Sequence, residues 1–172
     1  WTAHKFSGFS KNKVIGMAGE LDSARCRYEL ALLKDKDASK LRAKIVGAHN
    51  DEMIVSASNI SENLNENELK ALKKETSTGC AKIVKLLGTS AYYAPAAAAV
   101  KMCEMIVGKS DEIISASVLI DDELSCGRLV RLGRDGLKEI LELNLDEDEQ
   151  EQLNKSEAEI RKNIKFLKEN LE

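Results

Sequence analysis

The sequence predicts a single α+β domain, spanning residues 1–172, in which a few strands, mostly antiparallel and in hairpins, pack against long helices. Three observations predict it. Two long stretches, 66–87 and 146–171, carry apolar residues at helical spacing. Several short apolar runs between them are bounded by polar or Gly-containing turns and read as strands. Finally, 172 residues with 43% hydrophobic and 32% charged side chains suit one soluble domain with its own core.

In chain order, Ala3 to Phe9 reads as the end of a helix that stops at Gly8. Lys13 to Met17 is a short buried strand, and Gly16, Ala18 and Gly19 are small enough for close backbone approach. Asp22 or Ser23 can cap a helix running to about Lys34, with Cys26, Leu30 and Leu33 on its apolar face. After a polar turn, Leu41 to Ala48 alternates as a strand, and a second strand covers Met53 to Ala57. The helix from Glu66 to Leu87 has a patchy apolar face and is broken by Gly88-Thr89-Ser90. Ala91 to Val107 is an alanine-rich helix entered through Pro95, the only proline. Its small residues, Ala94 and Ala96 to Ala99, permit either helix packing or approach to a ligand. Ile113 to Ile120, Arg128 to Leu132 and Leu137 to Leu143 read as strands, the last two joined by the turn Gly133 to Gly136. From Asp146 onward runs an amphipathic helix, acidic in its first turn and basic later, as the helix dipole favours.

Several functions are disfavoured. The net charge of −3 offers no basic footprint for nucleic acid. The longest apolar run, Ala94 to Val100, is too short to span a membrane. Cys26, Cys80, Cys103 and Cys126 form no C-x-x-C pair, and there are only two histidines, so no metal is expected. Cys26 and Cys103 sit in apolar helical patterns, and the thiols read as free and buried in a reducing cytoplasm. The chain begins at Trp1 rather than methionine, from which we expect that a preceding segment was removed. It also has no Gly-rich phosphate loop, so any nucleotide would find its main cradle elsewhere.

His49 follows an apolar strand and sits in the loop Gly47-Ala48-His49-Asn50-Asp51. Strand ends hold side chains firmly while loops expose them, and histidine titrates near neutrality, so His49 suits general acid–base work. A hydrogen-bonded structural histidine fits the same facts. His4 reads as a helix decoration. Asp22 and Arg25, three apart, share one helix face. They form a surface ion pair, or they divide two tasks: arginine holding a carboxylate bidentately, aspartate orienting a histidine.

The run Val14 to Arg25, with Leu21-Asp22-Ser23-Ala24-Arg25 after a Gly-containing strand, resembles the lactate/malate dehydrogenase family. So do Ile45 to Met53, Ser90 to Ala97, Leu129 to Gly136 and the final helix, in the family's order. The resemblance implies the carboxyl-terminal, substrate-binding half of a bacterial malate dehydrogenase. The amino-terminal dinucleotide-binding half would be absent from the chain. His49 would exchange a proton with the substrate hydroxyl, and Asp22 would support it. Arg25 would bind the substrate carboxylate, and Ala91 would leave room for a second one. Met17 and Pro95 would lie against the nicotinamide of NAD. The family also implies a small dicarboxylate substrate, malate or oxaloacetate, and a homodimer or homotetramer. A lactate dehydrogenase and a non-catalytic interaction domain are the alternatives. Asn50 stands where the family usually has glycine, and the chain looks short around Asn59-Ile60 and Leu124 to Cys126.

Overall fold

The computed structural model describes residues 1–50 and 52–171; Asp51 of the expected loop motif lies outside the described residues. The order of elements is α1 (Thr2–Ser7), β1 (Ile15–Gly16), α2 (Ala18–Lys34), β2 (Ala43–Val46), β3 (Ile54–Ile60), α3 (Glu66–Leu87), α4 (Tyr93–Ile106), β4 (Ile114–Asp121), β5 (Leu124–Gly133), β6 (Gly136–Ile140) and α5 (Glu147–Leu171). β1, β4, β5 and β6 form an antiparallel sheet in the order β1-β4-β5-β6, and β2 pairs with β3 in a separate antiparallel ribbon.

Three apolar clusters hold these layers. Cys26, Leu30 and Ala31 of α2 pack on Ala43, Ile45, Val55 and Ile60 of the ribbon and on Leu72 of α3. Met102 and Met105 of α4 cover Ile114, Ala116, Val118, Val130 and Leu132 of the sheet. Leu153 of α5 closes over Val46, Ile54, Leu124, Cys126 and Leu129. Each fully buried Val, Leu, Ile or Met among them stabilises the fold by roughly 1.5–3 kcal/mol relative to exposure. α2 contributes to the first of these clusters and β2 to the first and third, so the residues that project from them are placed by the packing of the ribbon.

α3 and α5 match their expected spans, and both open on reciprocal caps. Asn65 accepts from Glu68 N while the Glu68 carboxylate accepts from Asn65 N. Asp146 and Glu149 repeat the arrangement. Other expectations need correction. α2 begins at Ala18, so Asp22 and Ser23 lie within the helix rather than capping it. The early start follows from packing: a Cβ on Gly19 would come within 2.9 Å of Ser115, so the helix lies directly on β4. The expected strand at 13–17 is two residues long, because Lys11–Lys13 form a 3₁₀ turn. Leu33, in the last turn of α2, is exposed, and Ala31 takes its buried place. Cys103 is likewise exposed, while Cys126 is buried with Cys26. β5 starts at Leu124, four residues before the expected Arg128. Pro95 is the third residue of α4, still in the turn where backbone N–H groups lack helical partners.

Candidate active site

The ribbon and the large sheet meet at one backbone bridge. Gly47 N donates to Gly127 O and Gly127 N to Gly47 O, both at 3.0 Å. Glycine is needed on both sides: Gly47 has φ +89°, and a Cβ on Gly127 would sit 2.5 Å from the Gly47 carbonyl. This bridge fixes the chain two residues before His49. The turn that follows is closed by Asn50, whose side-chain Oδ1 accepts from Glu52 N at 2.9 Å. Asn50 therefore does not use left-handed backbone; Asp35 is the only non-glycine with positive φ among the described residues.

His49 Nδ1 lies 2.6 Å from Asp22 Oδ2. The Asp22 side chain is 2% exposed and that of His49 45%. Burial pushes the Asp22 carboxyl above its ordinary value, against the opposing pull of its hydrogen bond to His49 and of the nearby Arg25 charge. An ionised Asp22 accepts from Nδ1–H, which sets the tautomer and leaves the outer ring nitrogen as an acceptor. Asp22 Oδ1 accepts from Arg25 Nη1 at 3.2 Å, so one carboxylate is shared between the histidine and the arginine. Arg25 Nε is buried without a hydrogen-bond partner among the described residues. A buried N–H of a guanidinium left unpaired is costly, and carboxylates are the planar partners that suit such a group. The arginine is backed by α3, where a Cβ on Gly79 would meet Arg25 Cδ at 3.6 Å.

A cavity of about 270 Å³ adjoins the pair, lined by Ala18, Gly19 and Asp22 of α2, by Gly47 to His49, and by Ser117, Ser125 and Gly127 of the sheet. A larger one, of about 700 Å³, touches neither Asp22 nor His49; the Asp22–His49 contact, not volume, locates the candidate site. The structure thus brings Asp22, Arg25 and His49 together through the shared carboxylate, but of the expected site residues only Asp22 and His49 line the cavity; Arg25, Ala91, Met17 and Pro95 do not. Met17 caps α2 and packs against the cluster under α4. Ala91 precedes α4, and Pro95 is half-buried in its first turn. Sequence reasoning missed two serines at the site: Ser23, which it read only as a possible cap, and Ser156, which it passed over within the terminal helix.

The lactate/malate dehydrogenase C-terminal alpha/beta domain model matches residues 19–171. The chain belongs to the lactate/malate dehydrogenase family. Among curated proteins it is 40% identical to a probable malate dehydrogenase of Campylobacter jejuni over 167 residues, 90% of this chain and 55% of that protein. It is 38% identical to a malate dehydrogenase of Chlorobium limicola, over 97% of this chain and 58% of the relative. The chain therefore spans little more than half the length of these relatives. Its fold matches a malate dehydrogenase structure from Salinibacter ruber with TM-score 0.91 and 31% identity, over 99% of this chain and 61% of the other. It matches a lactate dehydrogenase from Cryptosporidium parvum, complexed with lactic acid and nicotinamide adenine dinucleotide, with TM-score 0.89 and 31% identity. That match covers 96% of this chain and 58% of the other. No helix among the described residues is long and apolar enough to cross a membrane.

Proposed function

We propose that this chain is the substrate-binding domain of a malate dehydrogenase, which works with a dinucleotide-binding half to interconvert malate and oxaloacetate. The observation that carries the reading is the 2.6 Å contact between Asp22 and His49. His49 takes the hydroxyl proton of malate on its outer ring nitrogen and returns it in the reverse direction. Asp22 holds the ring in place and stabilises the imidazolium as it forms. Arg25, with an unpaired Nε and a second terminal nitrogen, clamps the substrate carboxylate. Together they orient the reacting carbon between base and cofactor. NAD supplies the hydride acceptor when bound. Ala91 leaves room for the second carboxylate, and Met17 and Pro95 border the nicotinamide; these three assignments rest on the family resemblance. The four free thiols suit a reducing cytoplasm. The malate reading over lactate rests on the names of the curated relatives and on the Ala91 to Pro95 segment.

The test is steady-state kinetics of the whole enzyme with oxaloacetate and pyruvate. Oxaloacetate is expected to give the higher kcat/KM, and faster pyruvate reduction would overturn the malate assignment. His49→Asn is expected to lower kcat by about 10²–10⁴-fold, the usual contribution of a positioned acid–base group.

A further inference from the structure

Resting on that acid–base reading, we propose that two buried serines, Ser23 and Ser156, are the positioning residues that hold His49 against Asp22. His49 and Asp22 come from different elements, a half-exposed loop and a buried helix, and nothing covalent near them fixes the separation. The backbone around His49 is instead tied to three neighbours. The Gly47–Gly127 bridge ties it to β5. The other two ties are made by serine hydroxyls.

Ser23 follows Asp22 directly on α2 and is fully buried. Its hydroxyl donates to Gly19 O, one turn back, at 2.7 Å and accepts from Ile45 N of β2 at 3.0 Å. A hydroxyl has one proton to give and lone pairs to receive, so a single oxygen joins the helix that carries Asp22 to the strand that leads to His49. Ser156, also fully buried, projects from α5. Its hydroxyl accepts from Ala48 N at 3.0 Å, at the residue immediately before His49. Ser23–Ile45 is a buried contact and Ser156–Ala48 a part-buried one, and in each the serine is 0% exposed, so removing the hydroxyl takes from a backbone N–H the partner that fixes it. A third buried serine marks the difference: Ser115 Oγ, on β4, has no hydrogen-bond partner among the described residues.

The experiment compares Ser23→Ala, Ser156→Ala, Ser156→Cys, Ser115→Ala and His49→Asn in the whole enzyme, below each variant's melting midpoint. Three quantities are read: kcat, KM for oxaloacetate, and the downfield proton resonance of His49 Nδ1, assigned by its disappearance in His49→Asn. Each positioning serine changed to alanine is expected to lower kcat by about 10–100-fold with KM little changed, as slight misplacement of reacting groups does. The Nδ1 resonance weakens in both through faster exchange with solvent. Ser156→Cys, with a weaker acceptor of similar size, falls between alanine and wild type. Ser115→Ala keeps wild-type kcat and resonance. Wild-type kcat and resonance in both alanine variants, with His49→Asn inactive, would overturn the positioning roles alone. A His49→Asn enzyme that keeps its turnover would overturn the acid–base reading and the positioning roles with it.

Discussion

Glu20 and Asp22 are both carboxylates, both 2% exposed, and both in the first turns of α2, yet they sit in opposite chemical settings. At 3.6 residues per turn they point about 200° apart around the helix. Glu20 faces three cations: Lys101 at 2.9 Å, Arg27 at 3.2 Å and Lys44 at 3.7 Å. Glu112, 3.1 Å from Lys101, adds a second acid to the cluster. Burial lowers the Lys44 pKa against the pull of Glu20. At Lys101 burial also acts downward, but the hydrogen bonds and charges of Glu20 and Glu112 prevail and raise it. Among the described residues Asp22 has only Arg25 and a histidine that is half open to solvent. On the function proposed above, the contrast is that between a structural carboxylate and a working one. Glu20 is surrounded by fixed charges, whereas Asp22 keeps a partner whose side chain is 45% exposed.

The comparison can be broken first at Asp22. Asp22→Asn is expected to lower kcat by about 10²–10⁴-fold in the whole enzyme, because an amide cannot stabilise an imidazolium. The same change should not lower the melting midpoint at neutral pH. The folded-state pKa of Asp22 lies above its ordinary value, so the fold binds this proton more tightly than the unfolded chain does. That contribution favours the fold below the unfolded pKa and is lost as pH rises through the folded value. The gain in midpoint of Asp22→Asn over wild type should therefore grow across that window, and melts at several pH values check it. A variant that melts lower than wild type at neutral pH would show that Asp22 is chiefly a structural partner.

The second break is at Glu20. Glu20→Ala leaves three part-buried cations facing one another and should cost about 3–5 kcal/mol of stability, measured by urea denaturation. A loss below about 1 kcal/mol would mean that the cations are well hydrated without it. The smallest change sharpens the point. Lys101→Met leaves Arg27 and Lys44 on Glu20, and because Lys101 is itself part-exposed the cost should be only about 1 kcal/mol.

What could be read in the sequence follows from how local each signal is. α3 announced itself through its charge and its apolar spacing, all within one element, although its Asn65–Glu68 cap was not read. The start of α2 did not, because it depends on Gly19 meeting Ser115, nearly a hundred residues away. Ser125 and Gly127 have little strand propensity of their own and join β5 through pairing with Leu119 and Ser117. At the site, Asp22, Arg25 and His49 were legible as residue types in order, and the family resemblance supplied their roles. The Glu20 cluster was not legible, since Lys44 and Lys101 come from β2 and α4 and no spacing links them to Glu20. Ser156 was hidden for the same reason: a serine within a charged helix looks like a solvated position until the fold buries it.

The Ala48–Ser156 hydrogen bond also has a meaning in time. Its two ends are 108 residues apart. At a synthesis rate of 5–20 residues per second, about 5–20 s pass on the ribosome between the making of the Ala48 amide and that of its acceptor. During that interval the residues of α2 and β2 have been made, but the loop lacks its final anchor. The Asp22–His49 pair thus gains its last tie only after Ser156 of the terminal helix is made, and a nascent chain carries both residues well before it carries that hydrogen bond.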